Sequence, residues 1–319
     1  MAPIMFQVMS DLHLETPLAR PTYDEFAASI TAQSPYLALL GDIGYACDSR
    51  LFTFLEGQLR SFSIVFFLLG NHEAYGTTYV AAKANVEAFA ARIEEERDLS
   101  SEIGRFVFLN QSRYDIDESV TILGCTLYSR ISKEQEETVR MFVTDFSIIE
   151  HWEVKDHNSA HESDLFWLNA QVESIVEKEP ERAIIIFTHH SPTLLEEAND
   201  PMHQDDPAQA RSAFATDLSR ETCWTNRQVK LWAFGHTHFN CDFVDQLTKK
   251  RVLTNQKGYR RAENVSFDAA KTVQVETPTP VEADERSKRQ HVGSQGSSYG
   301  HEPSRKKRPD ATSKICMMM

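Results

Sequence analysis

Five short patterns rich in Asp, Asn and His each follow an apolar run of the sequence. They are Ser10-Asp11-Leu12-His13, Gly41-Asp42-Ile43, Gly70-Asn71-His72-Glu73, Thr188-His189-His190 and Gly235-His236-Thr237-His238. Carboxylate oxygens and imidazole nitrogens together suit borderline divalent metals such as Mn, Fe and Zn, and they require no thiolate. Two such ions about 3.5–4 Å apart can hold a phosphate and activate a water molecule. The patterns therefore predict a metal centre suited to phosphate chemistry.

The spacing inside two of these patterns supports the same prediction. In Asp-x-His and His-x-His, both side chains lie on one side of an extended segment, because side chains alternate with period 2. The glycine before His236 lets the backbone turn tightly beside a metal. Asp42, on a neighbouring strand, is placed to bridge two ions. We therefore expect extended strand ends to present these side chains to one shared site.

The elements that must position these side chains are strands alternating with helices. Apolar runs at residues 4–9, 36–40, 64–69, 183–187 and 231–234 predict the strands that precede the patterns. Residues 79–98 and 164–177 carry apolar side chains at helical spacing and predict surface helices. Two further runs, 106–109 and 120–128, are expected to begin the second half of the fold. This alternation predicts an α/β fold, in which polar residues at strand ends are typical of a ligand site.

In their types and order, the five patterns resemble the metal-site motifs of the calcineurin-like metallophosphoesterase family, and the resemblance runs from Met5 to about Tyr259. It implies two mixed β-sheets packed face to face with helices on both outer faces, an α-β-β-α sandwich. It also implies two divalent metal ions, bridged by Asp42, and a catalytic His72 that stabilises charge or protonates the leaving group. The metal ligands implied are Asp11, His13, Asp42, Asn71, His189, His236 and His238.

Two positions leave alternatives open. Neighbouring residues on an extended segment point to opposite sides, so only one of His189 and His190 is expected to bind a metal. We predict His189, the first after the strand, with His190, two residues before a proline, as the alternative. Tyr45 stands where many family members carry a second Asp that orients the histidine of the Asn-His pair. A phenol cannot supply the charge of that carboxylate, so protonation of the leaving group and charge stabilisation both stay open as the role of His72.

The function that these observations predict is hydrolysis of a phosphate mono- or diester by a dinuclear metal-dependent phosphoesterase, in which a metal-bridging hydroxide attacks phosphorus. The alternative is a non-catalytic interaction scaffold that keeps the fold and the metals. Residues 129–161 and 192–228 are expected to shape substrate choice, and His203 or Arg211 is a candidate phosphate contact. The remaining histidines of the first segment, His151, His157 and His161, are interpreted as surface residues.

Charge and composition restrict the partners that we expect. The chain carries a formal net charge of −14, and an acidic body repels nucleic acids. We therefore expect a small-molecule or protein-borne phosphate ester. Five scattered cysteines without a Cys-x-x-Cys motif predict free thiols in a reducing compartment. No apolar run approaches the roughly 18 residues of a membrane span, and the first strand follows closely on Met1, so we expect no secretory signal and a cytoplasmic location.

The composition changes near residue 277. Residues 1–276 are predicted to form the metallophosphoesterase domain, and residues 277–319 a disordered basic tail. The clusters Arg286-Ser287-Lys288-Arg289 and Arg305-Lys306-Lys307-Arg308 indicate either a nuclear-localisation signal or a solvated linker. The last four residues, beginning at Cys316, formally match a farnesylation box, which would give weak membrane anchoring through the tail.

Overall fold

The computed structural model describes residues 3–99, 102–200, 210–259 and 264–276. The strands in these ranges are β1 (Ile4–Met9), β2 (Tyr36–Leu40), β3 (Ile64–Leu68), β4 (Arg105–Phe108), β5 (Ser112–Asp115), β6 (Val120–Gly124), β7 (Ala183–Phe187), β8 (Val229–Phe234), β9 (Asp242–Val244), β10 (Arg251–Thr254) and β11 (Thr272–Val275). Seven of these strands match the predicted apolar runs within one or two residues at each end, except that β6 ends four residues before the end of the predicted run 120–128. Strands β5, β9, β10 and β11 were not predicted.

The α-helices lie between these strands. They are α1 (Tyr23–Ala27), α2 (Ser49–Leu59), α3 (Tyr79–Leu99), α4 (Glu136–Phe142), α5 (Asp145–Ile148), α6 (Val154–Lys178) and α7 (Thr222–Thr225). The predicted helix at 79–98 is confirmed as α3, which buries Val86, Phe89 and Ile93 along one stripe. Helix α6 begins ten residues before the predicted 164–177, because its first turns continue the buried stripe with His157 and His161 rather than with apolar side chains.

The strands form two mixed sheets. The first sheet has the order β11-β1-β2-β3-β4, in which β1 to β4 are parallel and β11 is antiparallel to β1. The second has the order β5-β6-β7-β8-β10-β9, with a parallel centre and an antiparallel strand at each edge. Strand β4 therefore completes the first sheet. The expectation that residues 106–109 begin the second half was wrong, because that half starts at β5.

Three apolar cores hold four layers together. Alternate residues of the inner faces, such as Phe6, Phe66 and Phe187, pack between the two sheets. The outer face of the first sheet packs against α1, α2 and α3, and that of the second against α6 and α7. Strands buried on both faces read as continuous apolar runs, as expected for the parallel centre of a sheet. The predicted α-β-β-α sandwich is confirmed.

Two predictions fall outside the described residues: the basic tail at 277–319 and the candidate phosphate contact His203. Within the described helices, none combines the length and the apolar character that a membrane crossing requires. The interpretation of three surface histidines was right only for His151, which is exposed. His157 and His161 are buried, because the first turns of α6 pack beneath the loop that follows β6.

Candidate metal centre

The five patterns meet at one edge of the sandwich, where the carboxyl ends of β1, β2, β3, β7 and β8 come together. Parallel strands end on the same side of a sheet, so loops that are distant in sequence become neighbours there. All seven candidate ligands are buried except His238, whose side chain is 28% exposed. The structure thus brings every candidate ligand of the sequence analysis to one place.

The first group of donors combines the Asp-x-His loop with the last histidine of Gly-His-x-His. Ligand atoms of Asp11, His13 and His238 all lie within 4.8 Å of one another. His13 Nδ1 lies 3.3 Å from Glu15 Oε1, and His13 Nε2 lies 3.0 Å from His238 Nε2. Since Nδ1–H donates to the carboxylate, Nε2 of His13 offers a lone pair to the centre of the group.

The second group combines Asp42 with the two histidines at the ends of β7 and β8. Ligand atoms of Asp42, His189 and His236 also lie within 4.8 Å of one another. His189 Nδ1–H donates to the carbonyl of Leu40 over 2.8 Å, which leaves Nε2 as the nitrogen that faces the group. That Nε2 lies 3.1 Å from Asn71 Oδ1 and 3.4 Å from Asp42 Oδ1.

Asp42 lies between the two groups. Its Oδ1 faces His189, whereas its Oδ2 lies 3.9 Å from Nε2 of both His13 and His72. The backbone N–H of His72 donates to Oδ1 over 2.9 Å and holds the carboxylate in this orientation. The two oxygens of one side chain therefore point toward different groups of donors.

The loops that carry these residues are not extended, which corrects the predicted reason for their placement. Strand β1 ends at Met9, before Asp11 and His13. Five candidate ligands have a left-handed backbone: Asp11 (φ 53), His13 (φ 45), Asp42 (φ 55), His236 (φ 70) and His238 (φ 51). A positive φ is uncommon outside glycine, and such residues concentrate at functional sites where packing enforces them. Tight turns, rather than strand alternation, direct these side chains to one site.

Glycines in the motifs keep space for the ligands. A Cβ at Gly41 would lie 2.6 Å from His189 Nδ1, and one at Gly70 would lie 2.2 Å from Asp42 Oδ1. A Cβ at Gly235 would lie 2.5 Å from Asp11 Oδ2. Gly41 also has φ +86, which suits glycine. At Gly235, glycine is therefore required because any larger side chain would collide with the Asp11 carboxylate of the first group of donors.

Glu73, the last residue of Gly-Asn-His-Glu, ties two of the loops together. Its buried carboxylate accepts hydrogen bonds from the backbone N–H groups of Gly70 (2.7 Å), Asp42 (3.0 Å) and Ile43 (2.8 Å). Burial nevertheless raises the pKa of Glu73 to about 7. The residue fixes the Asp42 loop against the Asn71 loop and belongs to neither group of donors.

His72 lies beside Asp42 at the floor of a cavity. Its ring stacks on Tyr75 with centroids 4.1 Å apart, and its Nε2 lies 3.0 Å from the hydroxyl of Tyr259. Burial acts to lower the pKa of His72, but the carboxylates of Asp42 and Glu15 outweigh it and raise the pKa to about 9. With His13 and Asp42, His72 forms a third cluster of possible metal-binding atoms.

Two buried carboxylates at the site were missed by the sequence analysis. Glu15 Oε1 lies 3.3 Å from His13 Nδ1 and 3.2 Å from His72 Nδ1. Its position two residues after His13 could have identified it as a neighbour of the site. Asp145 accepts hydrogen bonds from the Asn71 amide (2.7 Å) and from the Tyr75 hydroxyl (2.6 Å). No sequence pattern marked Asp145, which lies 74 residues from Asn71.

The adjacent histidines after β7 have different surroundings. The His189 ring lies in the second group of donors, whereas the His190 ring packs on His236 with centroids 3.9 Å apart. His190 is fully buried, and neither of its nitrogens has a hydrogen-bond partner in the described part of the chain. It therefore lies outside both the cavity lining and the second group of donors.

The charges of the centre fit divalent cations. Burial and the neighbouring carboxylates of Glu73 and Asp11 raise the pKa of Asp42 well above its usual range. Across the described ranges, Asp11 and Asp42 have ion-pair contacts only with histidines. Buried carboxylates without a cation are costly, and a set of carboxylate, amide and imidazole donors without thiolate suits Mn, Fe or Zn. The residues present therefore fit the predicted metals.

A cavity of about 570 Å³ opens above the centre. Its floor includes Asp42, His72 and His236, and its walls include Phe214 and Tyr259. Phe214 stacks on His236 at 5.0 Å, and Tyr259 stacks on His13 at 4.2 Å. The two predicted specificity segments both reach the cavity, one through residues 142–145 and the other through residues 199–200, 210–211 and 214–215. Aromatic side chains thus border the space beside both groups of donors.

Comparison with known proteins gives a family and a fold. The profile of the family described as calcineurin-like phosphoesterase matches residues 5–240. An uncharacterized protein of Acanthamoeba polyphaga mimivirus is 25% identical over 241 residues, which are 72% of this chain and 80% of that protein. The crystal structure of a phosphopantetheinyl hydrolase from Mycobacterium tuberculosis has a TM-score of 0.60 at 18% identity, covering 88% of this chain and 98% of that one. At this identity the structural similarity supports the fold alone.

Proposed function

Because the chain belongs to the calcineurin-like phosphoesterase family, we propose that it hydrolyses an organic phosphate ester at a centre of two divalent cations. The observation that carries this proposal is the position of Asp42 between two groups of donors. Its two oxygens face different histidines at 3.4 Å and 3.9 Å, as expected of a carboxylate that serves two ions. One ion alone would not require both groups.

The proposed ligands follow from the two groups. Asp11, His13 and His238 bind one ion, whereas Asn71, His189 and His236 bind the other, and Asp42 contacts both. Mn, Fe and Zn are the candidates, since the donors are oxygens and imidazole nitrogens. Such a pair of cations neutralises the phosphate oxygens and lowers the pKa of a bound water.

The chain's own residues supply the remaining chemistry in this proposal. His72 Nε2 faces the cavity within 3.9 Å of Asp42 Oδ2, where it can give a proton to the oxygen of the leaving group. The hydroxyl of Tyr259 lies 3.0 Å from the same nitrogen. Removal of His72 should therefore slow esters with poor leaving groups far more than nitrophenyl esters, which need little proton assistance.

The substrate proposed is a small-molecule or protein-borne ester with a sizeable organic group. A volume of about 570 Å³ falls in the range of small-molecule sites, which are typically about 300–1,000 Å³. Phe142, Phe214 and Tyr259 give the entrance apolar and aromatic surface. The net charge of −14 disfavours long polyanions such as nucleic acids. A panel of phosphomonoesters and phosphodiesters decides between the two classes, and it should include a phosphopantetheinyl compound because the structural neighbour is named for that group.

The alternative, a non-catalytic scaffold, predicts metal binding without turnover. Both candidates retain the seven side chains able to bind a metal, so turnover of a phosphate ester by the metal-loaded protein separates the enzyme from the scaffold. We also propose that the catalytic domain ends near Glu276, since β11 at Thr272–Val275 pairs with β1. The cytoplasmic location, and a nuclear or membrane-associated location directed by residues 277–319, remain proposals that a fluorescent fusion with and without those residues tests.

The decisive experiment changes the shared carboxylate. Asp42→Asn should lower the metal content below about two equivalents per chain, because one carboxylate serves both ions. It should also lower kcat/KM by more than about 100-fold. Metal analysis and assays with phosphomonoesters and phosphodiesters measure this. Asp24→Asn, at an exposed position of α1, is the matched control and should change neither quantity. Full activity of wild-type protein after dialysis against a strong chelator would overturn the proposal.

A further inference from the structure

Glu15 is a buried carboxylate beside the metal centre that is neither a candidate metal ligand nor the proposed proton donor. The side chain is 1% exposed and lies between two histidines, with Oε1 at 3.3 Å from His13 Nδ1 and 3.2 Å from His72 Nδ1. Its second oxygen, Oε2, is buried and has no hydrogen-bond partner among the residues described. A buried carboxylate is costly unless other groups compensate it. The compensation visible here comes from the two imidazoles.

The contact with His72 sets which nitrogen of that ring faces the cavity. When Nδ1–H donates to Glu15, the ring is held with Nε2 toward Asp42 and the Tyr259 hydroxyl. The hydrogen bond of one imidazole nitrogen commonly fixes the protonation of the other. Stacking on Tyr75 restrains the plane of the ring but does not distinguish its two nitrogens. Glu15 is the carboxylate that makes this distinction.

The usual source of such a carboxylate is missing from this chain. Tyr45 occupies the position after the Gly-Asp motif where an Asp would orient His72, and its ring centroid lies 6.4 Å from that of His72. Glu15 reaches the same ring from the loop after β1, 57 residues away in sequence. The carboxylate beside Nδ1 of His72 therefore comes from the loop after β1 and not from the loop after β2.

We propose that Glu15 is a positioning residue for the leaving-group step and takes the role of the carboxylate absent at Tyr45; this inference rests on the proposed function. In that step a water oxygen forms a bond to phosphorus and the ester P–O bond breaks, with its electron pair going to the leaving oxygen. The leaving oxygen takes the proton from Nε2 of His72, and the proton lost by the water later restores it. Throughout the step, the Nδ1 proton stays on His72 and remains hydrogen-bonded to the Glu15 carboxylate.

The kinetic test compares Glu15→Gln, His72→Ala and the double variant on esters whose leaving groups differ in pKa. Glu15→Gln should lower kcat/KM about 10-fold or more for alkyl esters and much less for nitrophenyl esters. Because Glu15 acts through His72, the double variant should be no slower than His72→Ala. Because Glu15 also contacts Nδ1 of His13, the assays use saturating metal, at which the metal content should equal the wild-type value. Glu15→Asp, which keeps the charge, should restore part of the loss, and Glu25→Gln, an exposed carboxylate on α1, should change nothing.

A second readout does not depend on turnover. Long-range 1H–15N spectra of the Zn-loaded protein, recorded at a pH where the His72 ring is neutral, should show its single proton on Nδ1 in wild type and an altered tautomer population in Glu15→Gln. Three results would overturn the inference: equal losses on all esters, additive losses in the double variant, or loss of metal in Glu15→Gln. Each would show that Glu15 acts by holding His13 or by stabilising the fold, and not through His72. A wild-type protein without turnover, but with Nδ1–H of His72 donating to Glu15, would instead contradict the proposed function.

Discussion

The two sheets hold their candidate ligands by different means. On the first sheet, buried carboxylates support the site: Glu15 contacts His13, Glu73 joins the Asp42 and Asn71 loops, and Asp145 orients Asn71. On the second sheet, the supports are uncharged. His189 donates to a backbone carbonyl of the first sheet, and His236 donates to the carbonyl of Ala213 over 3.3 Å while stacking on Phe214.

This difference indicates that the charge of the supporting residues matters most on the first sheet and their shape on the second. Hydrogen bonds to a buried carboxylate are strong, and a neutral replacement leaves donors without a good acceptor. Ring packing depends on the volumes of the packed groups, because protein interiors are close-packed. Charge-removing substitutions should therefore act mainly through the first sheet, and steric substitutions through the second.

The largest effect should separate the adjacent histidines of the second sheet. His189→Ala should remove one metal equivalent and lower kcat/KM by more than about 100-fold, since it deletes a ligand. His190→Ala should retain both metals and lower activity only modestly, because it deletes packing behind His236. Parallel metal analysis and kinetics decide this. If the His190 variant loses a metal and the His189 variant keeps both, the ligand has been assigned to the wrong residue.

A steric change should be the next largest. Gly235→Ala places a Cβ 2.5 Å from Asp11 Oδ2, so the second sheet would push a ligand of the first group. We expect metal affinity to fall about 10–100-fold, as for other displaced metal-site geometries, with the fold retained by circular dichroism. Gly57→Ala on α2, where a Cβ meets nothing within 4 Å, is the control and should bind metal normally. Unchanged affinity in Gly235→Ala would show that shape on this side matters less than proposed.

The third prediction tests the two carboxylate oxygens of Glu73 as hydrogen-bond acceptors on the first sheet. Glu73→Gln keeps the size of the side chain but turns an amide toward backbone N–H groups that now donate to a carboxylate. We expect the free energy of unfolding of the metal-free protein to fall by about 2–3 kcal/mol. Denaturant titration measures this, with Glu95→Gln at an exposed position of α3 as the control. Equal stability of the two variants would contradict the role given to Glu73.

The smallest effect concerns pH and the metal-free protein. The pKa of His72 is raised from 6.5 to about 9 by Asp42 and Glu15 against the effect of burial. Protonated His72 therefore stabilises the folded chain fully below about pH 6.5, and this contribution is lost as pH rises through about 9. In chelator, the free energy of unfolding should decline across this window more in wild type than in His72→Gln. His151→Gln, at an exposed position, should keep the wild-type slope, and parallel pH curves for all three proteins would rule out the effect.

Much of this protein follows from its sequence. The apolar runs fixed the strands before each motif, because side chains buried on both faces of a parallel sheet must be apolar. The residue types at their ends pointed to metals and phosphate. Even the one unusual position, Tyr45, was visible as a missing carboxylate.

Only the tertiary structure decided how these parts work together. The left-handed turns at Asp11 and Asp42, the burial of His190 and the contacts of Asp145 have no local pattern that would reveal them. Glu15 meets His72 across 57 residues because β1 and β3 end at the same edge of one sheet. Periodicity in the sequence reports the environment of each strand and helix, whereas contacts between loops depend on how the two sheets pack.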